Sequence, residues 1–294
     1  MSNRISFVLL WLFAGLFPAC LTPVCEAADV LIVADIHLKP VTEIFSGIRK
    51  TLNASLKIYS PADARGILKG LVDKEDAKVV IALGREALAE ALQLPPDIPV
   101  IFDLVVTPPV ISRPNTTGFY MATPVREYAE LIKANFHSIK KMSVVGSRDQ
   151  LNILSRGDSL QQTSYDVRNS VGFVSTLKHL DDTDAILLLP NVALLTATAM
   201  DEAYLLSFRK GIPLLGVSER NVKEGALLAL VVDTVNVGKV IGDYATKAIR
   251  EGNIGQVPPS PPRKFDMYLN TATARKMGIE ISAEMVRMAK RVYP

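Results

Sequence analysis

Polar and turn-forming residues follow six short apolar runs of this sequence, and together they are suited to binding a small charged molecule. They are Asp35 and His37, Gly84 and Arg85, Asp103, Pro190 and Asn191, Ser218 and Glu219, and Asp233. Solid apolar runs predict strands that are covered on both faces. Ligands of parallel sheets bind beyond the carboxyl ends of the strands. We therefore expect these residues to contact a ligand.

Two of these positions predict opposite charge preferences. Gly84 and Arg85 form a turn that could present backbone N–H groups and a guanidinium to an anion, whereas the alternative is a tight turn with a solvated arginine. Asp103, together with Asp35 or Glu219, could bind an ammonium group. An acid at the end of a buried strand is unusual unless it faces a cleft.

The pair Asp35 and His37 also matches the opening Asp-x-His element of metallophosphoesterases, in which both side chains bind metal. That chemistry needs a Gly-Asn-His element and a later Gly-His-x-His element, and neither is present. The remaining histidines are His137 and His179. We therefore predict no metal and interpret the pair as polar ligand contacts, the alternative being solvated loop residues.

No Walker loop, dinucleotide fingerprint, nucleophile elbow or zinc-protease motif occurs in the chain. This absence removes the common reactions, although doubly wound folds host many enzymes. No cofactor is predicted.

The elements that position the polar residues are clearest between Asp184 and Asp233. Three apolar runs lie there, at 185–189, 212–217 and 226–232, and residues 194–210 predict a helix. Gly211 and Pro213 would end that helix. Strand, helix and strand in this order predict a parallel sheet with right-handed crossovers.

The first part of the chain shows the same alternation. Strands are predicted at 30–34, 56–59, 78–83 and 100–102, with helices at 41–52, from Ser60 and at 86–92, before a turn-rich stretch at 107–118. A helix at 123–140 and a strand at 142–146 begin a second half. Residues 148–180 give the weakest signal, with a strand at 165–167 and a helix at 171–180.

The last part adds a helix at 237–250, a proline-rich connection at 256–263, a strand at 265–269 and helices at 271–277 and from Ser282. The whole pattern predicts an α/β protein of two doubly wound, Rossmann-like lobes. The cleft between them is the expected ligand site. Tyr120 lies at the first crossing between lobes, where it could stack on a ligand or pack the hinge.

Residues 1–27 have the features of a cleaved secretory signal. Arg4 precedes an apolar run at 5–17, and Cys25 and Ala27 supply small residues at the cleavage positions. The run falls short of the ~20 residues that a membrane span needs. Lipid attachment at Cys20 is the alternative. Cleavage after Ala27 removes both cysteines and the only tryptophan, so no disulfide is expected.

Composition limits the classes of partner. The chain of 294 residues carries a net charge of +3, and 21% of its residues are charged. This balance argues against nucleic-acid binding. No later segment is apolar enough to span a membrane, so we expect no stable membrane insertion of the mature chain. We also expect a monomer, and the cleaved signal predicts export to the periplasm.

Several motifs resemble the substrate-binding proteins of bacterial ABC transporters, in the group of tryptophan- and tyrosine-binding proteins. They comprise Ala82-Leu83-Gly84 with Ala87, the strand at 98–102, Asn115-Thr116-Thr117-Gly118, Gly211-Ile212-Pro213, Gly225-Ala226-Leu227 with Asp233 and Gly238, and Leu269-Asn270 with Thr273-Ala274 and Gly278-Ile279. Their order and spacing extend over the whole chain after residue 27.

This resemblance implies a periplasmic binding fold of the first type, with three crossings between lobes and hinge closure on a ligand. The expected lobes are 28–119 plus 236–256 and 120–235 plus 257–294. The chain departs from the family at Arg85, at Val106-Thr107, at Pro190-Asn191-Val192 and at Ser218-Glu219, so the ligand itself does not follow from the resemblance.

Two functions from different classes remain open at this point. The first is a solute-binding protein that delivers a small organic, amino-acid-like ligand to an ABC transporter permease, or presents it to a sensor kinase. The second is a secreted hydrolase with Asp35, His37 and Asp103 as its polar centre.

The signal hypothesis makes a direct prediction. N-terminal sequencing of the exported protein should begin at Ala28, because Cys25 and Ala27 supply the small residues that signal peptidase requires. A lipid-modified N-terminus at Cys20 would contradict it.

Overall fold

The computed structural model of this chain describes residues 28–106, 111–155 and 160–294. The predicted signal segment lies outside these ranges. The described residues form two α/β lobes, each built around its own sheet. The lobe of the first sheet is called the first layer, and the lobe of the second sheet is called the second layer. The first sheet has the order β2-β1-β3-β4-β5, and all its pairs are parallel: β1 Val30–Val33, β2 Leu56–Tyr59, β3 Val79–Leu83, β4 Val100–Val105 and β5 Thr116–Tyr120.

Apolar packing on both faces explains the solid runs of the first sheet. Its helices are α1 Lys39–Thr51, α2 Pro61–Ala64, α3 Leu68–Glu75 and α4 Arg85–Ala91. Every residue of β1 and β3 is buried. Alternate side chains enter two separate cores: Ile32 and Ile81 pack with α1, whereas Leu31 and Val80 pack with α3 and α4.

Strand β5 corrects the expected turn at 107–118. Its first residues, Thr116 to Gly118, pair with β4 in parallel, and residues 107–110 lie outside the described ranges. A Cβ on Gly118 would lie 2.2 Å from the backbone oxygen of Phe102, so only glycine fits there. Asn115, at φ +58°, ties the start of the strand to the distant Ile254 N–H at 2.8 Å. These polar and glycine residues therefore belong to a buried strand.

The second sheet has the order β12-β11-β10-β9-β8-β6-β7. Its strands are β6 Lys141–Gly146, β7 Gln161–Asp166, β8 Ala185–Leu188, β9 Leu214–Gly216, β10 Leu228–Val232, β11 Phe265–Asn270 and β12 Arg291–Tyr293. The helices that follow β5 are α5 Val125–Asn135, α6 Arg148–Leu154, α7 Ser170–His179, α8 Ala197–Lys210, α9 Glu219–Glu224, α10 Thr234–Glu251, α11 Thr271–Lys276 and α12 Ala283–Met288.

The parallel pairing predicted between Asp184 and Asp233 is confirmed for β8, β9 and β10, but the sheet also has an antiparallel pair near one edge. Strand β11 is antiparallel to β10, and β12 is parallel to β11. The Asp233 N–H donates to the Lys264 carbonyl at 3.1 Å, so the chain re-enters the second sheet at the end where it left. Two strands therefore run opposite to the other five.

This reversal follows from the position of α10, which packs on the first sheet although its neighbours β10 and β11 belong to the second. Ile44 and Ile48 of α1 share a core with Val237 and Ile241 of α10. The chain thus passes between the layers three times within the described residues: after β5, before α10 and after α10.

Glycines allow α1 and α10 to approach at backbone distance. A Cβ on Gly238 would lie 2.0 Å from the Ile44 carbonyl oxygen, and one on Gly47 would lie 2.2 Å from the Val235 oxygen. The Thr51 hydroxyl donates to the Lys239 carbonyl at 2.7 Å and adds a polar contact to the same crossing. None of the helices in the described ranges has the length and apolar character needed to cross a membrane.

The close contact between α1 and α10 predicts that one added methyl group has a large effect on the free energy of unfolding. Gly238→Ala should lower the free energy of unfolding by about 1–3 kcal/mol or more, because the backbone of α1 must move. The control is Gly70→Ala in the helix α3, where nothing lies within 4 Å of the new Cβ. That change should stabilise by about 0.4–1 kcal/mol. Urea unfolding measures both, and equal effects at the two positions would contradict the packing argument.

Candidate functional site

A cavity of about 780 Å³ lies between the two sheets. The first layer contributes residues of α1 and the end of β4, whereas the second contributes the ends of β8, β9 and β10 and the start of β11 and β12. The lining residues are Lys39, Pro40, Glu43, Leu104, Val106, Met121, Ala122, Thr123, Tyr128, Leu188, Pro190, Val217, Glu219, Leu230, Val231, Val232, Thr234, Asp266, Tyr268, Lys290 and Arg291. Both layers therefore face one shared space.

The inner wall of the cavity on the side of the second sheet is apolar and rigidly held. Leu188 and Leu230 belong to β8 and β10, and Val217 directly follows β9, which lies between them. The buried Tyr128 donates its hydroxyl to the Gly216 carbonyl at 2.7 Å and accepts from the Leu230 N–H at 2.9 Å. Burial raises the pKa of Tyr128, so the phenol stays neutral. It links the carboxyl ends of β9 and β10, which carry the wall.

Six charged side chains also line the cavity, and each is paired within its own layer. Lys39 lies 3.6 Å from Glu43, Lys290 lies 2.5 Å from Asp266, and Arg291 lies 2.9 Å from Glu219. Three cations and three anions balance, so the lining carries no net charge.

The Glu219 carboxylate accepts hydrogen bonds from two neighbouring side chains. The Tyr293 hydroxyl donates to its Oε1 at 2.6 Å, and the Arg291 guanidinium donates to the same atom at 2.9 Å. These bonds hold the pKa of Glu219 below its usual value, and the positive charge of Lys39 on the other layer acts in the same direction. Glu219 is therefore ionised at neutral pH, and Lys39 lies within electrostatic reach across the cavity.

Of the residues singled out in the sequence, Pro190 and Glu219 line the cavity. Three others begin a helix or turn: Ser218 and Asp233 cap α9 and α10, and the Asn191 side chain accepts the Ala193 N–H at 3.0 Å. Short polar residues favour helix starts for this reason. Their presence after strands is thus explained locally, and a contact with ligand stays a prediction for each.

The first-layer residues also lie outside the cavity lining. Asp35 accepts the backbone N–H of His37 at 3.0 Å in a local turn. Gly84, at φ +104°, precedes the exposed Arg85, which begins α4. The half-buried Tyr120 packs against the cores of both layers, and its contact with a ligand or with the hinge stays a prediction.

Within the described residues, no group of three or more His, Cys, Asp or Glu side chains is arranged to hold a metal ion. Asp35 and His37 accordingly have no further ligand nearby in those ranges. The metallophosphoesterase interpretation gains no support from this arrangement.

Asp103 is the most unusual of the expected site residues. Its side chain is 0% exposed, so it does not face the cleft in this conformation, contrary to expectation. Neither carboxyl oxygen has a hydrogen-bond partner among the described residues. Burial raises the pKa of Asp103 from 3.8 to about 8, and the adjacent Leu104 N–H acts in the opposite direction without preventing the rise. Asp103 is therefore protonated at neutral pH.

The backbone beside Asp103 is irregular. Leu104 has φ +59°, and the register with β5 shifts between Phe102 and Val105. Leu104 itself lines the cavity. A non-glycine residue in the left-handed region costs of order 1 kcal/mol or more and is concentrated at functional sites. Leu104 is thus a strained residue that follows the buried Asp103 in the chain and lines the cavity.

Sequence reasoning missed five charged lining residues: Lys39, Glu43, Asp266, Lys290 and Arg291. The last three reach the cavity because β11 and β12 run against the other strands, so that their amino ends point toward the edge at which the other strands end. The alternation of strands and helices predicts parallel strands and gives no sign of this reversal. The available sequence signal for these residues was the basic pair Lys290-Arg291 directly before Val292-Tyr293.

Two lobes around a shared cavity, joined by three crossings, define a two-lobed ligand-binding protein. The family model described as ABC transporter substrate binding protein matches residues 48–293. The chain therefore belongs to the ABC transporter substrate binding protein family. No curated protein sequence matches it significantly.

Solved structures share this fold at low sequence identity. A substrate binding protein with adhesive properties from Clostridium difficile, in a ligand-free, open structure, gives a TM-score of 0.70 at 15% identity, covering 90% of this chain and 99% of that one. An ABC domain in complex with L-Trp from Streptococcus pneumonia gives 0.60 at 16% identity, with coverages of 90% and 99%. A conserved domain protein from Vibrio cholerae gives 0.59 at 18% identity, with coverages of 91% and 100%.

The state of Asp103 predicts a pH effect. The raised pKa means that folding keeps a proton that the unfolded chain releases, so Asp103 lowers stability progressively as pH rises from about 4 to about 8. The advantage of Asp103→Asn over the unsubstituted chain should therefore grow by at least about 2 kcal/mol between pH 4 and pH 8. Urea unfolding at several pH values measures it.

The exposed residue Asp149 provides the control, because Asp149→Asn makes the same change of charge away from the buried position. Its stability curve should stay parallel to that of the unsubstituted chain. A constant difference between Asp103→Asn and the unsubstituted chain at all pH values would show that Asp103 is ionised in the folded state.

Proposed function

We propose that this chain captures a small organic solute between its two lobes and presents it to the permease of an ABC importer. The observation that carries the proposal is the cavity of about 780 Å³, to which both lobes contribute side chains. Ligand pockets commonly measure about 300–1,000 Å³ and combine an apolar lining with a few placed polar groups. Membership in the substrate binding protein family supports the same role.

The composition of the lining limits the solute. An apolar wall of leucine and valine side chains favours a hydrocarbon or aromatic body, and the paired charges at the cavity offer partners for polar ends. A neighbour of the same fold was solved with L-Trp. We infer an amphipathic, amino-acid-like solute for this chain.

The three crossings supply the hinge. Met121 to Thr123, Val232 and Thr234 line the cavity and lie at two of the connections between the layers. Rotation at such connections is a standard means by which two-lobed binding proteins close on a ligand. Tyr120, beside the first crossing, is proposed to pack this hinge.

Substrate-binding proteins of ABC importers act outside the cytoplasm, and we propose the periplasm as the location of this one. The features of residues 1–27 support export through a cleaved signal. Presentation of the same ligand to a sensor kinase would use the same cavity and the same export.

A cavity-filling substitution tests the proposal. A panel of amino acids, sugars and organic acids should contain a solute that raises the melting temperature, because a ligand that binds only the folded state adds about RT ln(1 + [L]/Kd) of stability. Val217→Trp should abolish that shift, since Val217 is half-buried in the cavity wall and an indole would occupy the space.

The control is Val171→Trp on α7, where the valine is 77% exposed and lies away from the cavity. It should retain the full shift. If Val217→Trp binds the solute as well as the control does, the solute binds elsewhere and the interlobe site is wrong.

A further inference from the structure

We propose that the solute carries a carboxylate and that Lys290 and Arg291, at the start of the last strand, hold it, with Lys39 approaching from the opposite lobe. This inference rests on the proposed function and names the class of solute. It assigns the anion site to the end of the chain instead of to the turn at Gly84 and Arg85.

Topology brings this cation pair to the cavity. Strand β12 pairs with β11 in parallel, with Arg291 opposite Tyr268, and β11 pairs antiparallel with β10. The amino end of β12 therefore points toward the edge of the sheet at which β10 ends, and Lys290 and Arg291 line the cavity there. The reversed direction of β12 thus places two consecutive basic residues at this edge of the second sheet.

The two side chains have donors to spare. The Arg291 side chain is 64% exposed, and its Nη1 donates to Glu219; the Lys290 side chain is 56% exposed and donates to Asp266. A guanidinium carries five N–H donors and an ammonium carries three. Most of these donors therefore have no protein acceptor within the described ranges, and a planar carboxylate fits the guanidinium with two parallel bonds.

The carboxylates of the lining are less free to bind a ligand. Glu219 accepts two bonds at one oxygen, and Glu43 accepts the Thr234 hydroxyl at 2.5 Å besides pairing with Lys39. Asp266 pairs with Lys290 at 2.5 Å. The local ion pairs thus satisfy the acids first and leave the cations with unused donors, which favours an anionic group on the solute.

Lys39 completes the site from the other lobe. Its side chain is 81% exposed, and its ion pair with Glu43 is long at 3.6 Å. Its charge already helps to lower the pKa of Glu219 across the cavity. A carboxylate bound at β12 would attract this lysine as the lobes approach, so the same anion would favour closure.

Matched probes test the class of solute. Each of two bodies, phenylpropyl and 4-methylpentyl, is presented as the carboxylate, the primary amide and the amine, and binding is measured by calorimetry at low salt. At least one carboxylate should bind, with its amide at least tenfold weaker, as expected when a charged hydrogen-bonded partner is lost. Tighter or equal binding of an amide or amine overturns the inference.

The outcomes also separate this inference from the proposed function. If uncharged or cationic solutes bind and Val217→Trp prevents it, the cavity function stands and the carboxylate site is wrong. If no solute of any class binds, both are wrong.

Substitutions then test the residues on the carboxylate that binds. Arg291→Gln should weaken it at least about tenfold and leave its amide unchanged, and Lys290→Gln should act in the same direction. The control is Arg287→Gln, an exposed residue of α12 outside the cavity, which should change neither. Melting temperatures without ligand confirm that each variant is folded.

A double variant removes the remaining ambiguity. Arg291→Gln leaves Glu219 without its cation, so repulsion by that acid could weaken the anion by itself. Arg291→Gln combined with Glu219→Gln removes both charges and should still bind the carboxylate at least about tenfold more weakly than the unsubstituted chain. Recovery of full affinity in the double variant would show that Arg291 only neutralises Glu219, which contradicts the proposed contact.

Discussion

The close contact between α1 and α10 is the constraint on which the rest of this structure depends. Gly47 and Gly238 let two helix backbones meet where any side chain would collide with a carbonyl oxygen. The contact holds α10 on the first lobe, although the strands before and after it belong to the second sheet. Small residues therefore determine where the chain crosses between lobes.

The consequences of that crossing reach the ligand site. Because the chain leaves the second sheet after β10 and returns at the same end, β11 must run antiparallel to it. Strand β12 then follows β11 in parallel and presents Lys290 and Arg291 at the cavity. The packing of α10 on the first lobe thus determines where Lys290 and Arg291 lie in the second lobe.

The sequence alone predicts the fold class and the most buried strands, but it does not predict the polar and edge strands or most of the residues that line the cavity. Solid apolar runs identify β1, β3, β8 and β10 because burial on both faces requires them. Strand β7 has no such signal, since it is an edge strand whose residues are mainly exposed and polar. Likewise, β5 begins with threonines and a glycine that suggest a turn, and only the neighbouring Phe102 explains them.

The site was harder to predict because polar residues after strands have two physical uses. Ser218, Asn191 and Asp233 satisfy backbone N–H groups at helix and turn starts, so their positions need no ligand to explain them. The buried Asp103 has no such local role, and its raised pKa makes it costly to stability. Residues that lower stability without a structural return are often functional. Contacts that depend on topology, such as Arg291, cannot be inferred from local pattern.

Closure of the two lobes on a solute is the central claim, and a distance between them tests it most directly. A chain that begins at Ala28 contains no cysteine, so Ile36→Cys and Val192→Cys accept one spin label each. Both positions are exposed, at 52% and 94%, and follow β1 and β8 in opposite lobes. Pulsed electron paramagnetic resonance measures the distribution of distances between the two labels. This distribution should become narrower and shift to shorter distances when the solute that raises the melting temperature is added. An unchanged distribution at saturating solute would contradict closure.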